Sequence, residues 1–213
     1  MTQRIAVIAA NGKSGRLIVK EAVERGLDVT AIVRGENRTV AQHAVVKDLF
    51  DLTTDDLAGF DVVVDAFGAW TLDTFPQHSA SLGHLADVLS GTDVRLIVVG
   101  GAGSLYVNPE HTVQLSQTDG FPAAFLPLAT AMGESLAELR ERGDVRWTYV
   151  SPAADFQADG PRTGEYVLNG EEFTTNEAGE SAISYADYAI AIVDEVVAAL
   201  AGAHVNERIS VRW

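Results

Sequence analysis

The stretch Ile5-Ala6-Val7-Ile8-Ala9-Ala10-Asn11-Gly12-Lys13-Ser14-Gly15 decides the fold of this chain. Its first six residues form a continuous apolar run, which is typical of a strand buried on both faces of a parallel sheet. A glycine-containing turn follows, and apolar residues then recur with the helical period over Gly15–Arg25, where Gly26 ends the segment. The stretch therefore predicts a strand, a tight turn and a helix.

The turn between that strand and that helix has the features of a phosphate-binding loop. Gly12 and Gly15 tolerate unusual backbone angles and let backbone N–H groups approach a pyrophosphate closely. The N-terminus of the helix adds unpaired N–H donors and the positive end of the helix dipole. The alternative is a turn that merely packs the helix on the strand. We predict a dinucleotide site and assign to it Ala10, Asn11, Gly12, Lys13, Ser14 and Gly15.

Strand-like and helix-like segments alternate along the first 150 residues. The predicted strands are Ile5–Ala10, Val29–Val33, Val45–Lys47, Asp61–Phe67, Val94–Val99 and Arg146–Val150, and the later predicted helices are Pro76–Leu89 and Ala129–Arg142. This alternation indicates βαβ units with parallel strands. We therefore predict an α/β fold of the Rossmann type, with a doubly wound, mainly parallel sheet, helices on both faces and a single domain over residues 1–213.

The segment 151–182 interrupts the alternation of strands and helices. Within it, Tyr166–Leu168 and Glu171–Thr175 flank Asn169-Gly170, which predicts a hairpin around a type I′ turn. Ligands bind outside the carboxyl ends of the strands in sheets of this kind. We therefore expect the segment to contribute the substrate side of a cleft.

A helix and a closing strand are predicted near the end of the chain. Ser184 is expected to cap a helix that runs to about Ala201, with Asp187 completing a capping box. The alternating apolar residues of Ile209–Trp213 suit a final strand.

Composition and charge exclude several classes of function. The 213 residues include no Cys, so disulfides, iron–sulfur clusters, thiolate zinc sites and cysteine nucleophiles are ruled out. The net charge of −15 repels a phosphate backbone, and no nucleic-acid partner is expected. We also expect no metal site, no membrane partner and, without an export signal, a cytoplasmic location. The choice between monomer and homodimer is open.

The end of the second predicted strand bears on the choice of dinucleotide. An acidic residue there is typical of NAD sites, whereas this chain has Arg34, whose guanidinium suits a 2′-phosphate. Lys13, Arg16 and Arg38 are expected to add positive charge. Glu36 is the alternative, since its carboxylate is suited to holding a ribose hydroxyl. The pattern favours NADP(H) over NAD(H).

The motifs resemble those of a known family. The pattern Ala9-x-x-Gly12-x-x-Gly15, continued through Gly26–Arg34, is similar to the atypical short-chain dehydrogenase/reductase group, in particular its NAD(P)H-binding, NmrA-like and biliverdin- and flavin-reductase-B-like members. Gly100–Ser104 and Thr148–Ala153 match as well, and the resemblance covers essentially the whole chain. Ala9 is a departure, because the family usually has glycine there.

The resemblance implies further cofactor contacts beyond the phosphate loop. Asp48 and Leu49 are expected to border the adenine, although an aspartate at this point also suits the start of a turn. Residues nearer the nicotinamide are expected to be Ala66, Phe67, Gly68, Gly100, Ser151, Pro152 and Ala153.

A second departure concerns catalysis. Typical short-chain dehydrogenases use a serine followed by a tyrosine and a lysine four residues apart, and Ser104 occupies the serine position. The segment Ala124–Glu134, where the tyrosine and lysine would lie, contains neither. This absence argues against ordinary alcohol–ketone chemistry.

Two classes of function follow from this combination of residues. In the first, the protein is an oxidoreductase that passes hydride from NADPH to a small conjugated acceptor of the flavin or quinone type, with Ser104, Tyr106 and His111 as candidate catalytic residues. Tyr106 is equally suited to packing, and His111 to a solvated loop. In the second, the protein binds NADP(H) without turnover, as a redox sensor or regulator. Acceptor-dependent oxidation of NADPH distinguishes the two.

Overall fold

The computed structural model describes residues 3–199 and 201–213. The strands are β1 Arg4–Ile8, β2 Asp28–Val33, β3 His43–Val46, β4 Val62–Asp65, β5 Arg95–Val99, β6 Arg146–Ser151, β7 Asp155–Gln157, β8 Val167–Asn169, β9 Ala182–Ser184 and β10 Glu207–Arg212. The α-helices are α1 Lys13–Glu24, α2 Thr54–Leu57, α3 Gln77–Leu89, α4 Leu126–Arg140 and α5 Tyr185–Ala199. Within the described ranges, none of these helices is long and apolar enough to cross a bilayer.

Eight strands form one sheet in the order β3-β2-β1-β4-β5-β6-β10-β8. The first seven run parallel, and β8 pairs antiparallel with β10. The order of the first six is that of the Rossmann fold, in which ligands bind at the carboxyl ends of the strands where the order reverses, here between β1 and β4. The predicted fold class is therefore confirmed. β7 and β9 form a separate parallel pair.

Helices cover the sheet on both faces and divide the core into two clusters. Ile5 and Val7 of β1 point towards the layer of α1 and α5, whereas Ala6 and Ile8 point towards the layer of α3 and α4. All four side chains are buried. Because successive side chains of a strand point to opposite faces, a strand covered on both sides is apolar at every position, as this stretch is.

Two predicted boundaries near the site are shifted in the structure. β1 ends at Ile8, two residues earlier than predicted, because Ala9 adopts a left-handed conformation with φ of 54°. α4 begins at Leu126 instead of Ala129. Pro127 occupies its first turn, where the missing N–H costs no hydrogen bond, so the proline starts the helix and does not prevent it.

The predicted hairpin over residues 166–175 is wrong. Val167–Asn169 pairs with β10, with Ser210 opposite Asn169. Glu171 and Phe173 instead bond to the backbone of Tyr106: the Tyr106 N–H donates to the Glu171 carbonyl at 3.0 Å, and the Phe173 N–H donates to the Tyr106 carbonyl at 2.7 Å. Partners distant in sequence satisfy these backbone groups, so no local turn is needed.

The predicted cap of the last helix is correct in part. The Asp187 N–H donates to the Ser184 hydroxyl at 3.0 Å, as an N-cap requires. The Asp187 carboxylate does not complete a capping box, because it accepts hydrogen bonds from Thr163, Gly164 and Trp213. The helix is described to Ala199, and residue 200, within the predicted extension to about residue 201, lies outside the described residues.

Two helical glycines are predicted to respond oppositely to alanine. A Cβ on Gly15 would lie 2.6 Å from the Ala9 carbonyl oxygen and 2.9 Å from the Ala10 Cα, so Gly15→Ala forces backbone apart and should lower the free energy of unfolding by about 2 kcal/mol. The matched control is Gly83→Ala in α3, which meets nothing within 4 Å and should raise it by up to about 1 kcal/mol. Urea unfolding measures both, and equal effects would contradict the packing argument.

Candidate functional site

A cavity of about 1790 Å³ opens at the carboxyl ends of the parallel strands. Single ligand pockets usually measure about 300–1,000 Å³, so this cavity has room for a dinucleotide and a second ligand. Its lining includes Asn11, Gly12, Lys13, Ser14, Arg34, Asp48, Leu49, Ala66, Phe67, Gly68, Gly100, Ser104, Pro152 and Ala153.

The phosphate loop presents donors without protein partners. Gly12 caps α1 with no side-chain hydrogen bond, which leaves N–H groups of the first helical turn for a ligand. The Ser14 hydroxyl is buried and has no partner among the described residues. A Cβ on Gly12 would lie 3.1 Å from the Ala9 carbonyl oxygen. Orphan donors beside a backbone with no side chain fit a pyrophosphate.

Ala9 keeps the loop conformation that a glycine would adopt. Its φ of 54° lies in the left-handed region, which costs an L-residue roughly 1–2 kcal/mol. The Gly12 N–H donates to the Ala9 carbonyl at 2.8 Å and closes the turn. Alanine at the position where the family usually has glycine is therefore accommodated at the cost of local backbone strain.

Asn11 ties the phosphate loop to the loop that follows β2. Its Nδ2 donates to the Glu36 carbonyl at 2.8 Å, and its Oδ1 accepts from the Arg38 N–H at 2.9 Å. Both partners are backbone groups, so these contacts fix the path of the loop independently of the side chains of Glu36 and Arg38. The sequence places Asn11 in the phosphate loop but carries no signal for this role.

Three basic side chains gather at the same end of the cavity. Lys13, Arg34 and Arg38 are exposed and line it, and within the described residues no carboxylate lies within ion-pair distance of them. Lys47 also lines the cavity, but its Nζ contacts Asp56 at 2.6 Å. In a chain of net charge −15, this group forms a local positive site suited to an anion.

The residues implied for the adenine and the nicotinamide path lie in the cavity wall. The Asp48 carboxylate accepts a hydrogen bond from the Phe50 N–H at 3.0 Å and so caps a short 3₁₀ turn. This agrees with the alternative interpretation of Asp48 as a residue that starts a turn. Leu49 is buried, and Phe67 and Gly68 lie in the turn that follows β4.

Three predicted cofactor residues do not line the cavity. Ala10 and Gly15 are buried behind the phosphate loop, where Gly15 allows the helix to approach the strand. Ser151 is buried at the end of β6, and its hydroxyl has no partner in the described parts of the chain.

Gly100 lines the cavity, and packing also requires a glycine at this position. A Cβ there would lie 2.2 Å from the ring of Tyr149, and the neighbouring Gly101 N–H donates to the Tyr149 hydroxyl at 3.3 Å. The tyrosine is buried, and burial raises its pKa to about 12, so it remains neutral.

Of the three candidate catalytic residues, Ser104 alone lines the cavity. Ser104 is buried, lines the cavity and accepts a hydrogen bond from Arg208. Tyr106 and His111 do not line the cavity: their rings stack with centroids 4.7 Å apart, and the His111 Nε2 lies 2.7 Å from a Glu172 carboxylate oxygen. This contact fastens the loop after Ser104 onto the segment that follows β8.

The far end of the cavity is apolar and aromatic. Phe156 and Tyr185 pack with ring centroids 4.0 Å apart, and Trp70, which is 71% exposed, stands at the rim. Other residues here are Phe121, Phe125, Leu128, Met132 and Phe173. These residues come from segments distant in sequence with no shared motif, so sequence alone does not bring them together.

Asp65 is a buried acid that sequence analysis did not single out. It ends β4, and its Oδ1 accepts the Phe67 N–H at 3.0 Å, which shapes the turn that lines the cavity. Burial raises the pKa of this carboxyl group to about 6. In the sequence, Asp65 follows the apolar residues of β4, and nothing in that pattern distinguishes it from an ordinary polar residue at a strand end.

Fold and cavity together define a Rossmann-type protein with a dinucleotide site. In agreement with this, the chain matches the NAD(P)H-binding family over residues 9–199. The chain belongs to this family, and its resemblance to the atypical short-chain dehydrogenase/reductase group is confirmed.

Several relatives cover nearly the whole chain. The crystal structure of a "putative NADH-flavin reductase" from Streptococcus pneumoniae is 54% identical, covers 99% of each chain and has a TM-score of 0.94. The uncharacterised protein YwnB of Bacillus subtilis is 42% identical over 210 residues, which are 98% of this chain and 97% of that protein. A Burkholderia pseudomallei protein with a solved structure, described as a "putative exported protein", is 34% identical, covers 100% of both chains and has a TM-score of 0.86.

The raised pKa of Asp65 predicts a pH-dependent stability. Its pKa is about 6 in the folded chain against 3.8 as the ordinary value, so ionisation opposes folding, progressively from about pH 4 to pH 6 and fully above. Asp65→Asn removes this penalty. It should raise the free energy of unfolding by up to about 3 kcal/mol at pH 7.5 and by little near pH 4.

Urea unfolding of the wild-type protein and Asp65→Asn across this range tests the prediction. Other titrating groups cancel in the difference between the two proteins. A difference that does not change with pH would show that Asp65 does not titrate in this way.

Proposed function

We propose that the protein is an NADPH-dependent reductase that passes hydride to a flavin or another small conjugated acceptor. The observation that carries this proposal is the continuous cavity, whose lining includes the phosphate loop, Ser104 and a set of aromatic residues. The volume of about 1790 Å³ accommodates cofactor and acceptor side by side.

The preference for NADPH rests on the charges around Arg34. Arg34, Lys13 and Arg38 line the cofactor end without carboxylate partners among the described residues, and a guanidinium forms strong, bidentate hydrogen bonds with phosphate. Glu36 also lines the cavity and opposes a phosphate. Asp48 is a second carboxylate in this part of the lining, and three cations against two carboxylates still favour the 2′-phosphate.

The nature of the acceptor follows from what α4 presents to the cavity. Leu128, Ala129 and Met132 face it, where other short-chain dehydrogenases have a tyrosine and a lysine. Without that pair, an acceptor that spreads the incoming charge over a conjugated ring is favoured, since it needs little acid catalysis. The name of the Streptococcus pneumoniae relative, "putative NADH-flavin reductase", supports the same acceptor class.

The chain's own residues bind and orient the reactants. When bound, the dihydronicotinamide supplies the hydride. The phosphate loop and Arg34 hold the phosphates, and the aromatic residues at the far end stack on the acceptor ring. Ser104 donates its hydroxyl proton in a hydrogen bond to the acceptor atom on which negative charge develops.

The segment 151–182 supplies part of the acceptor side in this proposal. Pro152–Phe156, Phe173 and Ser181 line the cavity, in support of that assignment. We further propose a cytoplasmic protein, monomeric or homodimeric, that acts on a small molecule without nucleic acid. The net charge of −15 supports the last point.

The test is oxidation of NADPH, followed by the absorbance of the reduced nicotinamide, with riboflavin, FMN and simple quinones in turn. Isothermal calorimetry with NADPH is run in parallel. Oxidation that depends on an acceptor supports the proposal. Tight NADPH binding without turnover across the panel overturns it in favour of a redox sensor or regulator.

Arg34→Glu is predicted to alter the choice of cofactor. Loss of a charge-assisted hydrogen bond to the 2′-phosphate should weaken NADPH binding about 10- to 100-fold and change NADH binding by about twofold at most. Arg16→Glu is the matched control, because it makes the same change of charge on α1 outside the cavity lining. Calorimetry measures the dissociation constants, and equal losses for both cofactors would contradict the assignment.

A further inference from the structure

Arg208 places a guanidinium directly behind Ser104. It belongs to β10, its side chain is 0% exposed, and its Nη1 donates to the Ser104 hydroxyl oxygen at 2.9 Å. The ring of Tyr106 covers the guanidinium at 5.5 Å. No motif of the phosphate loop or of the strand ends pointed to this residue.

A partly buried network of charge holds Arg208 in place. Its Nη2 donates to the Glu171 carbonyl at 3.1 Å and also contacts the Glu171 carboxylate. The Nη2 of Arg140, on α4, donates to both oxygens of that carboxylate at 2.7 Å. Two guanidinium groups share one carboxylate, so the network retains one net positive charge.

This arrangement determines what the Ser104 hydroxyl can do. Arg208 has no acceptor to offer, so the serine oxygen accepts from it and the serine proton must point elsewhere. Among the described residues none accepts that proton, and Ser104 lines the cavity. The hydroxyl is therefore left as a donor towards a bound acceptor.

We infer that Arg208 is a positioning residue for the reaction: it holds the Ser104 hydroxyl as a donor to the acceptor and places the positive charge of the Arg208–Glu171–Arg140 network behind it. This inference rests on the proposed function. The basic side chains of the described lining, Lys13, Arg34, Arg38 and Lys47, lie at the start of α1 or after β2 and β3, at the cofactor end. The network thus supplies positive charge at the end where the acceptor becomes reduced.

The experiment is a double-mutant cycle on acceptor-dependent NADPH oxidation with riboflavin, using Ser104→Ala, Arg208→Met and the double variant. Each single variant should lower kcat roughly 10- to 100-fold, while the dissociation constant of NADPH changes by less than about twofold. Because Arg208 acts through Ser104, the double variant should be no slower than the slower single variant.

Arg212→Met is the matched control. Arg212 lies on the same strand and donates to the Thr174 hydroxyl at 2.9 Å, away from Ser104. Its substitution should leave kcat within about twofold. If Arg208→Met does not fold, Arg208→Lys replaces it in the cycle, since it keeps the charge and loses the fork that reaches Ser104 and Glu171 together.

The outcomes separate this inference from the proposed function. A wild-type protein without acceptor-dependent turnover overturns both. Wild-type turnover with additive losses from Ser104 and Arg208, or with an equal loss in Arg212→Met, overturns the role of Arg208 alone. A non-additive cycle with unchanged NADPH binding supports it.

Discussion

The close approach of α1 to the end of β1 is the constraint on which the rest of the structure depends. Gly15 lies so near the backbone of Ala9 and Ala10 that a single added methyl group would collide with it. This contact brings the N-terminus of the helix to the carboxyl end of β1, beside the point where the strand order reverses. The phosphate loop, the loop after β2 that Asn11 fixes, and the cavity between β1 and β4 all take their positions from it.

Charge is distributed unevenly around this cavity, and the distribution matches its two ends. The chain is strongly acidic, yet exposed cations line the cavity near the phosphate loop, and a cationic network built on the buried Arg208 lies behind Ser104. Exposed cations suit a ligand that carries phosphate groups. A buried cation costs desolvation energy, which the shared carboxylate of Glu171 offsets only in part, so its retention beside Ser104 is consistent with a role in the chemistry.

Sequence predicted the features that depend on local pattern. The apolar run of β1, the glycine turn and the alternation of strands and helices each follow from residues within a few positions of one another. The structure departs from the sequence predictions where contacts between distant segments decide the conformation. The hairpin at Asn169-Gly170 was predicted from a local turn, whereas the structure satisfies those backbone groups with β10 and Tyr106. Tyr106 and His111 follow Ser104 closely in sequence, but their loop turns away from the cavity.

The sequence by itself determined the class of fold and the position of the phosphate loop, because buried parallel strands must be apolar throughout and a tight turn against a helix requires glycine. Only the tertiary structure decided the aromatic part of the cavity. Its aromatic residues come from β7, α5 and several connecting segments, and Arg208, which donates to Ser104, lies 104 positions away in the sequence. No local pattern encodes such contacts, since each depends on the order of strands in the sheet and on the packing of helices across it.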